Sequence, residues 1–275
     1  MRSLTTFAAL ALACVLPFGQ ASGQTEPSGG EDDLAPYLRI GSWDGSLSPR
    51  VTDTQRDVST LADLFRRFDI VAIHNGGQRS TYENVVELLN TTTDVPWGGY
   101  FSQDENNTSA IFWREDRVFN DGYLREMASL SPRAVRPMQV GRFRYGSEWF
   151  FLINVSFTSD PSSESHMGVI QLTDLVRTLK MRAGGEPVFA AASLRADHND
   201  EALATIRAEM VPVVTDGEGS IAENNRTKTN IWTTLTRATR SGYYPYYKAM
   251  ALNRNEAEAR VGRFLPVFSL VDLSE

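Results

Sequence analysis

Cysteine is nearly absent from this sequence. Cys14 is the single cysteine among 275 residues, so the chain cannot form an internal disulfide. Small exported domains with too little core usually depend on disulfides, and that class of protein is therefore excluded. A chain of this length can bury a sizeable core, and its stability must rest on that core.

Long hydrophobic runs are also absent, apart from one near the start. The run Phe7–Phe18 is apolar, Arg2 is the only charge before it, and the small residues Ala21 and Gly23 follow it. The run is too short for the roughly 20 residues of a spanning helix, whereas this order of features is typical of a secretory signal peptide. We expect residues 1–23 to be a signal peptide and the product to be secreted or periplasmic.

Cys14 leaves a second interpretation of this segment open. A lipoprotein would be lipidated on Cys14, and Ala11, Leu12 and Ala13 stand directly before it. Because the leucine lies one place nearer the cysteine than lipoprotein signals prefer, ordinary cleavage after Ala21 or Gly23 is the favoured expectation.

An excess of basic residues is missing as well. The chain has 27 Lys and Arg against 34 Asp and Glu, a net charge of −7, which becomes −8 when Arg2 is removed with the leader. Like charge repels a phosphate backbone, so broad nucleic-acid binding without a metal ion is disfavoured. The exclusion is weaker for enzymes that use a divalent cation, because the ion supplies the positive field.

One domain is expected after the leader. Residues 24–35 contain Gly, Ser, Glu, Asp and Pro with little apolar content, which is typical of a flexible linker. No second linker and no internal repeat interrupts residues 36–275.

Short apolar segments typical of buried strands recur along this domain. Helical patterns separate some of them, whereas the middle of the domain predicts hairpins, one turning at Gly146-Ser147. This order predicts an α+β fold in which two sheets pack face to face with helices outside. Residues expected in the core are Trp43, Ile73, Ile153, Val188 and Val267.

Four helices are predicted from apolar residues at helical spacing. Ser80 and Glu83 match a capping box at the start of the second one. The predicted helices span Thr54–Phe68, Ser80–Leu89, Ser165–Met181 and Asp200–Met210.

The strand ends resemble motifs of the endonuclease/exonuclease/phosphatase superfamily, which has the deoxyribonuclease I-like fold. Its members read S-W-N, D-I-V-A-I-Q-E, L-I-N-V-H, G-D-F-N and S-D-H-L-P-V, in that order. This chain reads S-W-D, D-I-V-A-I-H-N, L-I-N-V-S, A-S-L-R and G-R-F-L-P-V. The resemblance covers residues 38–271 and implies a four-layer α/β/β/α sandwich.

The residues that carry the family's chemistry are mostly replaced. The resemblance places Asn75 at the metal-binding Glu, Ser156 and Phe264 at two histidines, and Ser193 at the Asp that aligns the nucleophile. Mg²⁺ is usually held through carboxylates, and neither serine nor phenylalanine can act as a general base without help. The degenerate positions are Asp44, Asn75, Ser156, Ser193, Arg195, Thr229, Asn230, Arg263 and Phe264.

Histidines are scarce too, and none of the three falls on a catalytic position. His74 could face the cleft as a ligand-binding residue, but a hydrogen-bonded histidine at a strand end is the commoner case. His166 is expected at the surface. His198, in R-A-D-H-N-D with Asp197 and Asp200, is either a metal-ligand candidate or part of a polar loop that caps a helix at Asp200, and the loop is favoured.

The sequence thus predicts an exported pseudoenzyme that binds a ligand or partner of anionic character through the remodelled cleft. Ligand-binding candidates are His74, Arg195 and Arg263, and no cofactor is expected. The alternative is a metal-dependent phosphoesterase or nuclease with a rebuilt site that binds Mg²⁺ or Mn²⁺, in which Asp44, Asp197 and His198 are the weak metal candidates. The sequence identifies neither the ligand nor the oligomeric state.

Overall fold

Two six-stranded sheets form the centre of the computed structural model, which describes residues 36–46, 56–158, 163–215, 229–236 and 240–273. The expected signal peptide and linker lie outside the described residues. Within these ranges, no helix is both long enough and apolar enough to span a membrane.

The first sheet contains the N-terminal strands and the last two strands of the chain. Its strands are β1 (Leu38–Asp44), β2 (Ile70–His74), β3 (Trp97–Phe101), β4 (Ala110–Arg114), β11 (Arg240–Tyr243) and β12 (Val267–Val271). They lie in the order β11-β12-β1-β2-β4-β3, and β1 and β2 are its parallel pair.

The second sheet is formed by the middle of the chain. Its strands are β5 (Val118–Met127), β6 (Met138–Tyr145), β7 (Glu148–Ser156), β8 (Val188–Ser193), β9 (Val211–Pro212) and β10 (Thr229–Thr233). They lie in the order β5-β6-β7-β8-β10-β9, and β7 and β8 are its parallel pair.

Helices cover the outer face of each sheet. The helices α1 (Val58–Phe65), α2 (Arg79–Thr92), α5 (Tyr246–Ala249) and α6 (Arg254–Arg260) pack on the first sheet. The helices α3 (Ser163–Arg182) and α4 (Ala204–Arg207) pack on the second. The predicted four-layer α/β/β/α sandwich is therefore confirmed.

The core has three apolar layers, one between the sheets and one under each set of helices. All five residues predicted to be buried have no solvent exposure. Trp43 and Ile73 lie under the helices of the first sheet, Ile153 and Val188 lie under those of the second, and Val267 lies between the sheets.

The β6–β7 hairpin turns at the predicted place. Tyr145 pairs with Glu148, which leaves Gly146-Ser147 as a two-residue loop, and Gly146 has φ of 60°. Such tight loops require a left-handed residue, and glycine adopts that conformation without steric strain.

Three helix predictions need correction. The helix predicted over Thr54–Phe68 is α1, Val58–Phe65, and Asp57 caps its N-terminus. The helix predicted to begin after Ser80 begins at Arg79, and its N-cap residue Gln78 makes no side-chain capping bond, so the capping box was wrong. Glu83 instead accepts a 2.7 Å hydrogen bond from Arg79. The helix predicted from Asp200 is a 3₁₀ turn followed by the single turn of α4, although Asp200 does cap it.

Candidate functional site

The inner faces of the central strands change from apolar to polar as the strands approach one edge of the sandwich. In β1, Leu38 and Ile40 belong to the layer between the sheets, and the next residues on that face are polar. Because β1 and β2 are parallel, as are β7 and β8, the ends of each pair meet at this edge. The polar inner-face residues here are Ser42, Asp44, His74, Asn154, Ser156 and Ser193.

The Asp44 carboxylate is the centre of a hydrogen-bonded group at this edge. One oxygen, Oδ1, accepts from the backbone N–H of Ser46 at 3.0 Å and from the Ser46 hydroxyl. The other, Oδ2, accepts from Asn75 Nδ2 at 3.3 Å and from Ser193 Oγ at 3.2 Å. Four donors thus surround this carboxylate, and Ser193 joins it across the two sheets.

Asn75 makes the second link between the sheets. Its Nδ2 donates to Ser156 Oγ at 3.0 Å, and the Ser156 hydroxyl lies 3.3 Å from Asn75 Oδ1. Asn75 has φ of 51°, a left-handed conformation that asparagine tolerates better than most residues with a side chain. We call Asp44, Ser46, Asn75, Ser156 and Ser193 the strand-end cluster.

The floor of the strand-end cluster is closed to solvent. Asp44 is 3% exposed, Ser193 is 2% exposed and Ser156 is 1% exposed, whereas Asn75 is half-buried. Among the described residues of the cluster, a ligand can therefore reach the half-buried Asn75 and Ser46 and not the other three side chains.

The segment Gly262–Phe264 borders the cluster beside β1. The backbone N–H of Arg263 lies 3.5 Å from the Ser46 carbonyl oxygen, and Trp43 Nε1 donates to the Phe264 carbonyl at 2.9 Å. The Arg263 guanidinium lies 5.3 Å from the centre of the Phe264 ring, and both side chains are half-buried. A cation and an aromatic ring thus form one border of this edge.

Arg195 and Thr229 lie beside Ser193 in the second sheet. Thr229 pairs directly with Ser193 and is buried. Arg195 has φ of 57° and donates through Nε to the Phe157 carbonyl at 3.3 Å. The left-handed conformation is unfavourable for arginine, so the surrounding contacts must hold it.

Asn230 has a different role from its neighbours. Its Nδ2 donates to the Val214 carbonyl, its Oδ1 accepts from the Val214 N–H at 3.2 Å, and that oxygen also accepts from Ile231 N. The side chain therefore holds the segment after β9, and its hydrogen bonds do not include the strand-end cluster.

His74 is fully buried between the sheets and does not line the cleft. Its Nε2 lies 3.1 Å from Ser42 Oγ, which supports the hydrogen-bonded strand-end interpretation rather than a ligand-binding role. Burial lowers the pKa of His74 from 6.5 to about 4, although the Asp44 charge and Asn154 oppose this shift. The ring is therefore neutral near pH 7.

Comparison with solved structures decides the fold class. A mannosyl-6-phosphatase from Bacteroides thetaiotaomicron has a TM-score of 0.65 to this chain at 15% identity, covering 85% of this chain and 99% of that one. An endonuclease/exonuclease/phosphatase family protein from the same organism has a TM-score of 0.63 at 14% identity, covering 87% and 96%. The chain has the endonuclease/exonuclease/phosphatase fold.

A third structure of similar fold is D. rerio TDP2 in complex with a single-stranded DNA product. Its TM-score is 0.62 at 12% identity, and the match covers 85% of this chain and 98% of that one. Identities this low show the fold alone. No family model matches the sequence, and neither does any curated protein sequence.

The donor set of the strand-end cluster does not fit the divalent cation that the family resemblance implies. Asp44 is the single carboxylate of the cluster, and hydrogen bonds already occupy both of its oxygens. Asn75 turns its amide nitrogen, not its oxygen, toward Asp44. Among the described residues, no group of three or more His, Cys, Asp or Glu side chains is placed to hold a metal.

Asp197 and His198 form a capping loop. The His198 carbonyl accepts from Arg207 Nη1 at 2.9 Å, and Asp200 Oδ1 accepts from Ala202 N at 2.9 Å at the start of the 3₁₀ turn. The capping-loop interpretation is supported, and these residues join no metal-binding group in the described part of the chain. His166 is exposed, as predicted.

Several polar residues that support the cluster were missed from the sequence. Asn154 Nδ2 donates to Gln139 Oε1 at 2.8 Å and, in the other sheet, to the Ile73 and Ala110 carbonyls at 3.1 Å. Arg56 donates to the Gly45 carbonyl next to Asp44. For two of these residues the sequence did contain a signal. Ser42 and Asn154 each stand two places before a predicted site residue in a strand, so each lies on the same face of the sheet as that residue.

Proposed function

We propose that this chain is an exported binding protein that keeps the endonuclease/exonuclease/phosphatase fold and does not hydrolyse phosphoesters. The observation that carries the proposal is the environment of Asp44, whose carboxylate is held by protein donors from Ser46, Asn75 and Ser193. Phosphoester hydrolysis in the family needs hard oxygen ligands for a cation and a base for water. The strand-end cluster offers one saturated carboxylate and no base.

The borders of the site favour an anionic ligand. Arg195 and Arg263 bring two guanidinium groups to the segments beside the cluster, and such groups bind phosphate and carboxylate oxygens in a bidentate manner. The left-handed backbone of Arg195 is the kind of conformational strain that proteins retain at functional positions. The proposed ligand contacts the accessible Asn75 side and these borders, and not the buried serines.

Hydrolysis is the direct test of this proposal. We expect no turnover above background of DNA, RNA, phosphoinositides, simple phosphodiesters or mannose 6-phosphate with Mg²⁺, Mn²⁺ or Ca²⁺. A metal-dependent activity that disappears in Asp44→Ala or His198→Ala would establish the rebuilt-site enzyme instead. As the converse experiment, combining Asn75→Glu, Ser193→Asp and Phe264→His is expected to introduce weak phosphodiesterase activity.

Anion binding is tested by calorimetry with inorganic phosphate and mannose 6-phosphate. We expect Arg263→Gln to weaken binding about tenfold, because one charge-assisted contact is worth about 1.4 kcal/mol or more. The matched control is Arg133→Gln, which removes an exposed arginine outside the cluster. Equal affinity in Arg263→Gln and the control would place the ligand elsewhere.

Export is part of the proposal and rests on the sequence of residues 1–23. Mass spectrometry of the mature protein should give an N-terminus directly after Ala21 or Gly23. A lipidated N-terminal Cys14 would contradict this and establish the lipoprotein alternative.

A further inference from the structure

Near the Gly146-Ser147 turn, one corner of the outer face of the second sheet is not covered by any helix in the described part of the chain. Helix α3 covers the adjoining part of this face, where Val140, Phe151 and Ile153 are buried. The corner instead carries a row of side chains directly opposite one another on neighbouring strands, Phe119, Arg144 and Trp149. Trp149 is seven residues from Ser156 on β7, about 23 Å, so the corner is separate from the strand-end cluster.

Arginine and aromatic side chains alternate across this corner. The Arg142 guanidinium lies 4.1 Å from the centre of the Trp149 ring, and Arg144 lies 5.1 Å from Phe119 and 5.6 Å from Trp149. On the bulged edge strand, Arg125 lies 5.6 Å from the Tyr123 ring. We call Phe119, Tyr123, Arg125, Arg144 and Trp149 the arginine–aromatic corner.

The rings of the corner are unusually open for this protein. Phe119 is 51% exposed and Tyr123 is 39% exposed, and they are the two exposed aromatic side chains in the described part of the chain. If the arginine side chains served only to cover this part of the sheet, their methylene groups would shield more of the Phe119 and Tyr123 rings from water. Exposed aromatic residues beside arginines are instead the composition of protein interfaces.

The arginines at and beside the corner differ in whether they form ion pairs. Arg142 is neutralised by Asp121 at 3.0 Å and by Glu186. Arg144 and Arg125 are exposed, and neither has an ion-pair partner among the described residues. Stacking on a ring fixes the plane of a guanidinium and leaves its N–H edge directed outward, which suits a carboxylate.

The spacing of these two arginines favours a peptide over a nucleic acid. Arg125 is opposite Val140, which is four residues from Arg144 on β6, so the two positions are about 13 Å apart along the strands. Asp121 and Glu186 lie around Arg142 between them and would repel a continuous phosphate backbone. An extended peptide spans the same distance in four residues and can place neutral side chains at the centre.

We propose that the arginine–aromatic corner binds an extended acidic segment of a partner protein. Two carboxylates about four residues apart contact Arg144 and Arg125, and apolar side chains between them pack on Phe119 and Tyr123. This surface is independent of the ligand site proposed at the strand-end cluster.

The test uses a fluorescein-labelled decapeptide with two glutamates four residues apart and leucine and phenylalanine between them. We expect saturable binding by fluorescence anisotropy, a change in Trp149 emission that Trp149→Phe removes, and weakening with added salt. Arg144→Gln and Arg125→Gln should each weaken binding at least tenfold, whereas the exposed Arg67→Gln, on the opposite side of the sandwich, should not.

Two comparison probes make the result decisive. The same peptide with glutamine in place of both glutamates should bind at least tenfold more weakly, and a ten-nucleotide oligothymidylate should not compete. The proposal is overturned if the acidic peptide does not bind, if the oligonucleotide binds in its place, or if the two arginine variants bind as well as Arg67→Gln. Unchanged thermal unfolding of the variants excludes a folding defect as the cause.

Discussion

Replacing Asn75 with glutamate is expected to lower the free energy of unfolding by about 3 kcal/mol in the absence of divalent cations. The new carboxylate would lie beside Asp44, whose Oδ2 is now 3.3 Å from the Asn75 amide nitrogen. Two like charges at a poorly hydrated edge repel, and the donor bonds to Asp44 and Ser156 are lost at the same time.

Asn75→Gln is the matched control for that change. It shares the longer side chain and the strain of a left-handed backbone, but it adds no charge. We expect this variant to lose only about 1 kcal/mol, so that the difference between the two isolates the electrostatic repulsion. Urea unfolding with and without Mg²⁺ measures both effects.

Divalent cations add a second readout to the same experiment. Mg²⁺ at millimolar concentration could stabilise Asn75→Glu and leave Asn75→Gln unchanged. That result would show that the strand-end cluster can bind a cation when a glutamate occupies position 75. Equal stability of Asn75→Glu and the unaltered protein without metal would show that Asn75 does not hold Asp44 in solution. The Asp44 carboxylate would then be free to bind a cation.

The architecture was predictable because the sequence patterns that indicate it lie within single short segments. Each central strand is a short apolar run with a polar end, and the parallel pairing of β1 with β2 and of β7 with β8 brings those ends to one edge. The contact of Asp44 with Asn75 and Ser193 follows from that arrangement.

The contacts that differ from prediction depend on strand register and on loops. Gln139 lies directly opposite Asn154 across β6 and β7, and their hydrogen bond cannot be inferred from either segment alone. Asn230 lies within β10, and its side chain bonds to the Val214 backbone, which offers both a donor and an acceptor. The capping box at Ser80 failed because α2 begins at Arg79, which makes Gln78 and not Ser80 the N-cap.

The buried polar residues join the two sheets at the strand-end edge through hydrogen bonds. Asn154 ties β7 to the carbonyls of Ile73 and Ala110 in the other sheet, and Ser193 and Ser156 tie β8 and β7 to Asp44 and Asn75. His74 lies among these side chains and is fully buried, so a proton added to its ring would place a positive charge away from water and destabilise the fold.

The pH dependence of stability should show that effect at His74. The folded pKa of His74 is about 4, against 6.5 as the ordinary value, so the unfolded chain binds the proton more tightly. The neutral ring stabilises the fold fully above pH 6.5, and this contribution declines as the pH falls from 6.5 toward 4. At about 1.4 kcal/mol per pH unit, the difference amounts to about 3 kcal/mol.

His74→Gln removes the titrating group and can retain a hydrogen bond to Ser42, which lies 3.1 Å from His74 Nε2. Carboxylates also titrate in this range, so the informative quantity is the difference in unfolding free energy between the variant and the unaltered protein at each pH. We expect this difference to shift in favour of the variant by about 3 kcal/mol between pH 7 and pH 4. A difference that stays flat over this range for His74→Gln would mean that His74 titrates normally in the folded protein and that solvent reaches the space between Ser42 and Asn154.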